Sequence, residues 1–195
     1  MNLNRSGSAI LLIEFQNQWT KKGFYNRLIK KQLNSRNVLE NTEKAVDNAR
    51  KQGVRIIHAP LVIDPESKKG WLAHLTGGKV FTKGSDKSKI SKGLFQEGDL
   101  IVKGRYAFDA FIGSDLCELL KKNNIENVFI CGFTTDQCVA KTMRTMIKKK
   151  IDAYLVSDCT ATFNDFFQKR TEKKFADKVI NSREMEELWN NDFYS

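Results

Sequence analysis

Residues 127–150, NVFICGFTTDQCVAKTMRTMIKKK, contain an apolar run, a glycine-containing turn and an amphipathic stretch in succession. The run up to Cys131 is almost continuous in apolar residues, which is typical of a strand buried on both faces of a parallel sheet. From Val139 to Ile147 apolar residues recur at helical spacing, which predicts a helix packed on that sheet. The segment therefore predicts a strand–turn–helix unit of an α/β fold.

The same alternation extends through the chain in both directions. Further strand-like runs are AILLIE (9–14), VRIIHA (54–59), DLIVK (99–103), DAYLVSD (152–158) and KVI (178–180). Amphipathic stretches lie at 38–49, 116–120 and 182–189. With 195 residues and no linker-like or repeated segment, the chain predicts one domain, residues 1–195. We expect a three-layer α/β/α sandwich around a mostly parallel, doubly wound, Rossmann-like six-stranded sheet.

The connection formed by residues 61–98 is too long for an ordinary loop in a compact domain. It carries many glycines and lysines. We expect it to be a substrate-side loop or a region that contacts a partner.

The net charge of +10 is the unusual feature of the composition. A basic surface can attract nucleic acid or acidic partners. Here the lysine clusters are dispersed among predicted loops and helix ends and match no nucleic-acid-binding module. We therefore expect a solvated lysine-rich surface and no nucleic-acid binding.

The N-terminal apolar run ends after a few residues at Glu14, so it predicts a buried strand rather than a signal peptide or a membrane span. The four cysteines form no CxxC pair and have no neighbouring histidine, which fits neither a disulfide framework nor a zinc site. We expect a cytoplasmic protein with reduced thiols, no cofactor and no membrane contact.

Cys138 is the candidate nucleophile, because it follows a predicted strand and lies in about the first turn of the predicted helix. Ligands of open parallel sheets bind at the carboxyl ends of strands. A helix start favours thiolate and offers unpaired N–H groups to an oxyanion. The alternative is a small buried side chain, which we retain for the other cysteines, Cys117, Cys131 and Cys159.

Lys103 ends the run DLIVK, where an inward lysine needs an anionic partner. Glu14, which ends the first strand, is the natural partner. If both meet beside Cys138, the carboxylate can take the thiol proton while the ammonium holds the carboxylate.

Three segments, EFQNQW (14–19), KGRYAFDAF (103–111) and GFTTDQCVAKT (132–142), resemble the motif regions of the isochorismatase-like cysteine hydrolase superfamily, in the same order and across nearly the whole chain. The resemblance implies an Asp–Lys–Cys triad and assigns its last two members to Lys103 and Cys138. It also implies a non-proline cis peptide just before Thr134, and an oxyanion hole formed by the backbone N–H groups of Thr134 and Cys138.

Glu14 departs from the family motif, which begins with Asp. A misplacement of about 1 Å near the reacting atoms can cost about 100-fold in rate. Glu14 therefore acts as the general base through a different rotamer, or the triad is impaired.

The nicotinamidase branch of the family adds an Asp and several His as a metal site after the second strand. Here that region offers only His58, Asp64 and His74. We expect no metal, and interpret both histidines as packed or solvated.

Aromatic and polar residues flank the motifs: Gln16, Trp19, Tyr106, Phe108 and Phe111. They line a pocket for a flat or small acyl substrate, or they are ordinary core. Arg105 orients a substrate carboxylate or pairs with Asp109. By resemblance, Asp158 is structural and ties the end of the fifth strand to a neighbouring loop.

The first functional hypothesis is a metal-independent hydrolase that cleaves a C–N amide-type bond of a small molecule through a Cys138 thioester. The alternatives are an isochorismatase-type vinyl ether hydrolase, and a catalytically weakened family member that acts as a binding or interaction protein. The resemblance also implies a homo-oligomer, in which the 61–98 loop covers a neighbour's site.

Overall fold

The computed structural model describes residues 3–64, 66 and 81–190. Its strands are β1 Ser8–Ile13, β2 Arg55–Ala59, β3 Leu100–Ile101, β4 Asn127–Phe133, β5 Asp152–Ala161 and β6 Val179–Ile180. Its helices are α1 Asn17–Thr20, α2 Phe24–Ser35, α3 Val38–Lys51, α4 Leu116–Lys122, α5 Ala140–Lys148, α6 Asp165–Lys174 and α7 Ser182–Asn190. Every strand and helix predicted from the sequence corresponds to one of these elements.

The six strands form one sheet in the order β3-β2-β1-β4-β5-β6, and all paired neighbours are parallel. This confirms the predicted doubly wound α/β architecture. After β1 the chain moves outward to β2 and β3, whereas after β4 it moves the other way to β5 and β6. The strand order therefore reverses between β1 and β4, and a crevice opens at their carboxyl ends, which is where open α/β sheets bind ligands.

Alternate residues of the central strands supply two separate cores, one on each face of the sheet. Ile10 and Leu12 point into the core shared with α2, α3 and α7. Leu11 and Ile13 point into the core shared with α4 and α5. Both faces are covered by helices, which explains why β1 is apolar at nearly every position.

Strand β3 is shorter than the predicted run DLIVK, because it ends at Ile101. The Val102 N–H still donates to His58 O (2.8 Å), but the next N–H, of Lys103, donates to the carboxylate of Asp115 (2.7 Å). The chain then turns at Gly104, whose φ is +81°. Lys103 consequently lies in a loop beyond the sheet edge.

The long 61–98 connection is described only in part, since residues 65 and 67–80 lie outside the described residues. The described part forms bridges from Ile63 to Thr82 and from Gln16 to Ile90. Its flanks therefore lie beside the segment that follows β1. In the part of the chain that the structure describes, no helix is long and apolar enough to cross a membrane.

Candidate active site

Three chain segments meet at the crevice between β1 and β4. Glu14 directly follows β1, the loop after β3 contributes Arg105, and the turn after β4 contributes Thr134 to Cys138. All three come from carboxyl ends of strands, as the parallel topology requires.

Glu14 is 1% exposed and has a φ of +58°, a conformation that costs a non-glycine residue about 1–3 kcal/mol. Its backbone N–H donates to Ala59 O (3.3 Å). Its carboxylate accepts hydrogen bonds on both oxygens, from Arg105 Nη2 to Oε1 (2.7 Å) and from Trp19 Nε1 to Oε2 (3.1 Å). The strained backbone and the two donors together hold the carboxylate at one place.

The predicted pairing of Lys103 with Glu14 is wrong. Lys103 is exposed, and the buried cation beside Glu14 is Arg105, whose side chain is 0% exposed. The guanidinium donates to four acceptors: Ala107 O (3.0 Å), Ala59 O (2.6 Å), Phe108 O (2.8 Å) and Glu14 Oε1 (2.7 Å). Lys103 misses the site because β3 ends early and the chain turns outward before it.

Arginine suits this position, because its planar fork of five N–H groups can satisfy several fixed acceptors at once. In the sequence, the segment KGRY already offered Arg105 as an alternative partner of Glu14, because this second cation follows Lys103 by two residues. The predicted pairing of Arg105 with Asp109 is wrong, and the orientation of a substrate carboxylate by Arg105 stays a prediction. Asp109 instead accepts hydrogen bonds from Thr145 Oγ1 (2.6 Å) and from the N–H of Phe111 (3.0 Å).

Cys138 is 4% exposed and lies in a single π-helical turn, Thr135–Val139, that precedes α5. The Glu14 carboxylate, the Arg105 guanidinium and the Thr134 backbone N–H act on the Cys138 thiol. Burial and the negative charge of Glu14 raise the pKa of the Cys138 thiol well above its usual value, although Arg105 opposes them. This direction is opposite to the expectation that a helix start favours thiolate. The turn around Cys138 is π-helical, and α5 begins only at Ala140.

The turn between β4 and Cys138 has the backbone that the resemblance implies, with a cis peptide between Phe133 and Thr134. Thr134 O accepts hydrogen bonds from the N–H groups of Gln137 (3.1 Å) and Val139 (3.2 Å), which close the turn. The predicted oxyanion hole at the N–H groups of Thr134 and Cys138 stays a prediction.

Gly132 permits the close approach that brings this turn to Glu14. Its φ is +130°, and a Cβ at this position would lie 2.0 Å from Ile13 O. Only glycine lets β4 pass this close to the end of β1. The two strand ends are thereby adjacent, and so are the carboxylate and the thiol that follow them.

A buried polar network fastens the turn to α6. Thr135 Oγ1 donates to Gln168 Oε1 (2.8 Å), and Gln168 Nε2 donates to Glu172 Oε1 (2.8 Å). Glu172 in turn accepts from Arg36, which directly follows α2 (2.9 Å). The sequence pattern did not identify these residues, because nothing in it relates positions so far apart.

Two of the predicted pocket residues have partners within the protein. Gln16 is 0% exposed and binds backbone groups of the 61–98 connection: its Nε2 donates to Leu61 O (3.0 Å) and Ser88 O (2.7 Å), and its Oε1 accepts from the Leu61 N–H (2.9 Å). Trp19 is 5% exposed and turns its N–H toward Glu14. Contact of either residue with substrate stays a prediction.

The other predicted pocket residues are more accessible. Tyr106 lines a cavity of about 440 Å³ together with Lys103, Pro60 and Val62. Phe108 and Phe111 are half-buried, with lysine ammonium groups 4.5 Å and 5.7 Å from their ring centres. These three residues remain candidates for contact with substrate.

The histidine and carboxylate considered for a metal have other partners. His58 Nε2 lies 3.0 Å from Asp99 Oδ2, and burial lowers the pKa of His58. Asp64 accepts a hydrogen bond from Lys83 Nζ (2.9 Å), and His74 lies outside the described residues. Within residues 3–64, 66 and 81–190, no group of three or more His, Cys, Asp or Glu side chains could hold a metal ion.

The other three cysteines are buried or half-buried, and Asp158 joins two elements of the fold. Cys131 and Cys159 are buried in the sheet, and Cys117 is half-buried on α4. Asp158 accepts hydrogen bonds from the N–H (2.8 Å) and hydroxyl (2.6 Å) of Ser182, so it ties β5 to the start of α7.

Comparison with known proteins identifies relatives across most of the chain. The model of the isochorismatase domain matches residues 8–184. The uncharacterized isochorismatase family protein YrdC of Bacillus subtilis is 48% identical over 54 residues, a match that spans 28% of this chain and 29% of that protein. Nicotinamidase 3 of Arabidopsis thaliana is 23% identical over 172 residues, covering 86% of this chain and 80% of that protein. Ureidoacrylate amidohydrolase RutB of Agrobacterium fabrum is 23% identical over 194 residues, covering 88% and 83%.

Solved structures share the fold at lower sequence identity. A cysteine hydrolase from Pseudomonas syringae pv. phaseolicola superimposes with a TM-score of 0.86 at 16% identity, covering 96% of this chain and 94% of that chain. N-carbamoylsarcosine amidase from Thermoplasma acidophilum superimposes with a TM-score of 0.75 at 19% identity, covering 90% and 96%. At these identities the likeness is evidence for the fold alone.

Proposed function

Since the chain belongs to the isochorismatase family of hydrolases, we propose that it cleaves a C–N amide-type bond of a small molecule through a thioester on Cys138. The observation that carries the proposal is that two buried groups, the Cys138 thiol and the Glu14 carboxylate, follow adjacent strand ends, with the Arg105 guanidinium bound to the carboxylate. A nucleophile beside a base that a third group orients is the arrangement that covalent catalysis requires. The amidohydrolases among the relatives support this class of reaction.

In the first half of the reaction, Glu14 takes the Sγ proton while Sγ attacks the substrate carbonyl carbon. The carbonyl oxygen becomes an oxyanion, which the N–H groups of Thr134 and Cys138 stabilise. Glu14 then donates its proton to the substrate nitrogen. The C–N bond breaks, ammonia or an amine leaves, and the acyl group stays on Sγ as a thioester.

In the second half, Glu14 is again ionised and takes a proton from water. The resulting hydroxide oxygen attacks the thioester carbonyl, and the same N–H groups hold the second oxyanion. The C–S bond then breaks, the carboxylic acid product leaves, and the proton on Glu14 returns to Sγ. Glu14 thus acts as base and as acid in both halves, as microscopic reversibility requires.

Arg105 takes the role that the sequence motif assigns to Lys103. A guanidinium does not lose its proton in proteins, so Arg105 cannot serve as a proton donor. It orients Glu14 through the hydrogen bond to Oε1, and its positive charge lowers the pKa of the Cys138 thiol. The charge of Glu14 acts on the same thiol, which supports the general-base interpretation of Glu14 over an impaired triad.

Turnover of a panel of small amides by wild type, Cys138→Ala and Cys117→Ala tests the proposal. The panel includes nicotinamide, ureidoacrylate and N-carbamoylsarcosine, and intact mass spectrometry of rapidly quenched reactions detects the acyl-enzyme. We expect turnover and an acyl adduct in wild type and in Cys117→Ala, and neither in Cys138→Ala.

Two results would refute the thioester mechanism. Hydrolysis that survives in Cys138→Ala would favour the acid chemistry of a vinyl ether hydrolase. Absence of turnover and of any adduct across a broad panel would favour the binding-protein alternative. The small-molecule substrate, the homo-oligomer and the cytoplasmic location stay predictions.

A further inference from the structure

The carboxylate of Glu14 is held by two different donors on its two oxygens. Arg105 Nη2 donates to Oε1 at 2.7 Å, and Trp19 Nε1 donates to Oε2 at 3.1 Å. The arginine supplies charge, whereas the indole supplies a neutral N–H. Neither the sequence motif nor the proposed triad accounts for the second donor.

The indole of Trp19 has a fixed position. Its ring centre lies 5.3 Å from that of Tyr25, 6.3 Å from that of Phe81 and 6.1 Å from that of Phe133. Its backbone oxygen accepts a hydrogen bond from Asn26 Nδ2 (2.7 Å), which ties α1 to α2. The N–H therefore stays directed at Glu14 without reorganisation during the reaction.

An indole N–H can only donate, so it interacts more strongly with an ionised carboxylate than with a protonated one. Its removal would leave Oε2 without this buried donor. Two donors on two oxygens also fix the plane of the carboxylate, which a single contact with Arg105 does not. A base in this plane presents its remaining lone pairs to Sγ of Cys138 at a constant angle.

We propose that Trp19 is a positioning residue of the reaction, whose N–H orients the Glu14 carboxylate toward Cys138. The inference rests on the proposed function, in which Glu14 is the general base. It assigns to Trp19 a role different from contact with substrate.

Kinetics of Trp19→Phe test the role in catalysis, because phenylalanine keeps an aromatic ring in the cluster while it removes the N–H donor and part of the ring volume. Tyr25→Phe is the control for a changed side chain in the same cluster, since it removes a polar atom without touching Glu14. We expect kcat of Trp19→Phe to fall about 10-fold with KM nearly unchanged, as for an interaction that acts on the chemical step. In Tyr25→Phe both kcat and KM should stay close to the wild-type values.

NMR tests the contact without a substrate. In the ¹H–¹⁵N spectrum the indole signal missing from Trp19→Phe identifies Trp19. We expect this signal to lie downfield in wild type and to move upfield in Glu14→Gln, because a neutral amide oxygen is a weaker hydrogen-bond acceptor than a carboxylate. If Trp19→Phe folds poorly, the comparison of wild type with Glu14→Gln still tests the contact, which predicts that one downfield indole signal moves.

The possible outcomes separate the two proposals. A Trp19 signal that is indifferent to Glu14→Gln would overturn the inference, as would a Trp19→Phe enzyme whose kcat and KM match those of Tyr25→Phe. If Cys138→Ala retains full turnover, the proposed function fails. The Trp19–Glu14 contact would then still give the NMR response, but its role in catalysis would be overturned with the function.

Discussion

Replacing Arg105 by lysine is the perturbation that best separates the tertiary arrangement from the sequence motif. Arg105 donates to three carbonyl oxygens and one carboxylate oxygen at 2.6–3.0 Å with its side chain 0% exposed. A lysine ammonium has three donors at one point on a shorter reach, so we expect at least two of these acceptors to lose their partner.

The expected magnitude follows from those lost bonds. A buried acceptor without a partner costs about 1–2 kcal/mol, so Arg105→Lys should lower the free energy of unfolding by about 2–4 kcal/mol. A carboxylate displaced by about 1 Å should also lower kcat/KM by about 100-fold. The exposed Lys103 offers the matched control, and Lys103→Ala should change stability by less than about 0.5 kcal/mol.

Urea unfolding and amide turnover of the two variants measure both effects. If Lys103 were the buried cation, as the motif suggests, Lys103→Ala would be the damaging change and Arg105→Lys would be tolerated. That reversed pattern would refute the reasoning from the Glu14–Arg105 ion pair. Loss of stability in both variants would also contradict it, because an exposed lysine should contribute little.

Three further changes test other parts of the site. Gly132→Ala should destabilise the protein by more than about 3 kcal/mol in urea unfolding, because its Cβ would lie 2.0 Å from Ile13 O at a φ of +130°; near-native stability would contradict the close approach of the strands. Glu14→Gln should abolish turnover and yet speed the alkylation of Cys138 at a given pH, because removal of the carboxylate charge lowers the thiol pKa. Mass spectrometry measures the alkylation rate, and slower alkylation would show that the charge does not act on the thiol. Burial lowers the pKa of His58 in the folded protein, so this imidazole binds a proton more readily in the unfolded chain than in the folded one. The free energy of unfolding should therefore fall as the pH drops below 6.5. This dependence should weaken in His58→Gln, and an equal slope in both proteins between pH 7.5 and pH 5.5 would count against it.

The alternation of apolar runs and amphipathic stretches was enough to predict the layers of the fold. Runs such as ILLI after Ala9 are too apolar for a strand with a solvated face, so a parallel sheet with helices on both sides followed. The position of Cys138 after a strand likewise placed the thiol at the carboxyl edge. These properties depend on residues that are close together in the chain, so they can be predicted from the sequence.

The identity of the buried cation depended on the tertiary structure. Lys103 and Arg105 are two residues apart, and the end of β3 decides which of them reaches Glu14. That end is set by pairing with β2 and by the bond from the Lys103 N–H to Asp115, which no local pattern encodes.

For the same reason, the sequence did not determine where the side chains of Gln16 and Trp19 point. Both stand in a short segment beside the triad, where an aromatic or amide side chain suits a substrate pocket as well as a core. The 61–98 connection supplies the backbone partners of Gln16, and Glu14 supplies the partner of Trp19. The sequence was sufficient for the six strands, for four of the seven described helices and for the position of the nucleophile, because periodicity and strand ends are local. The folded chain alone determined which cation and which donor hold the base, since buried polar groups are satisfied by residues far apart in sequence.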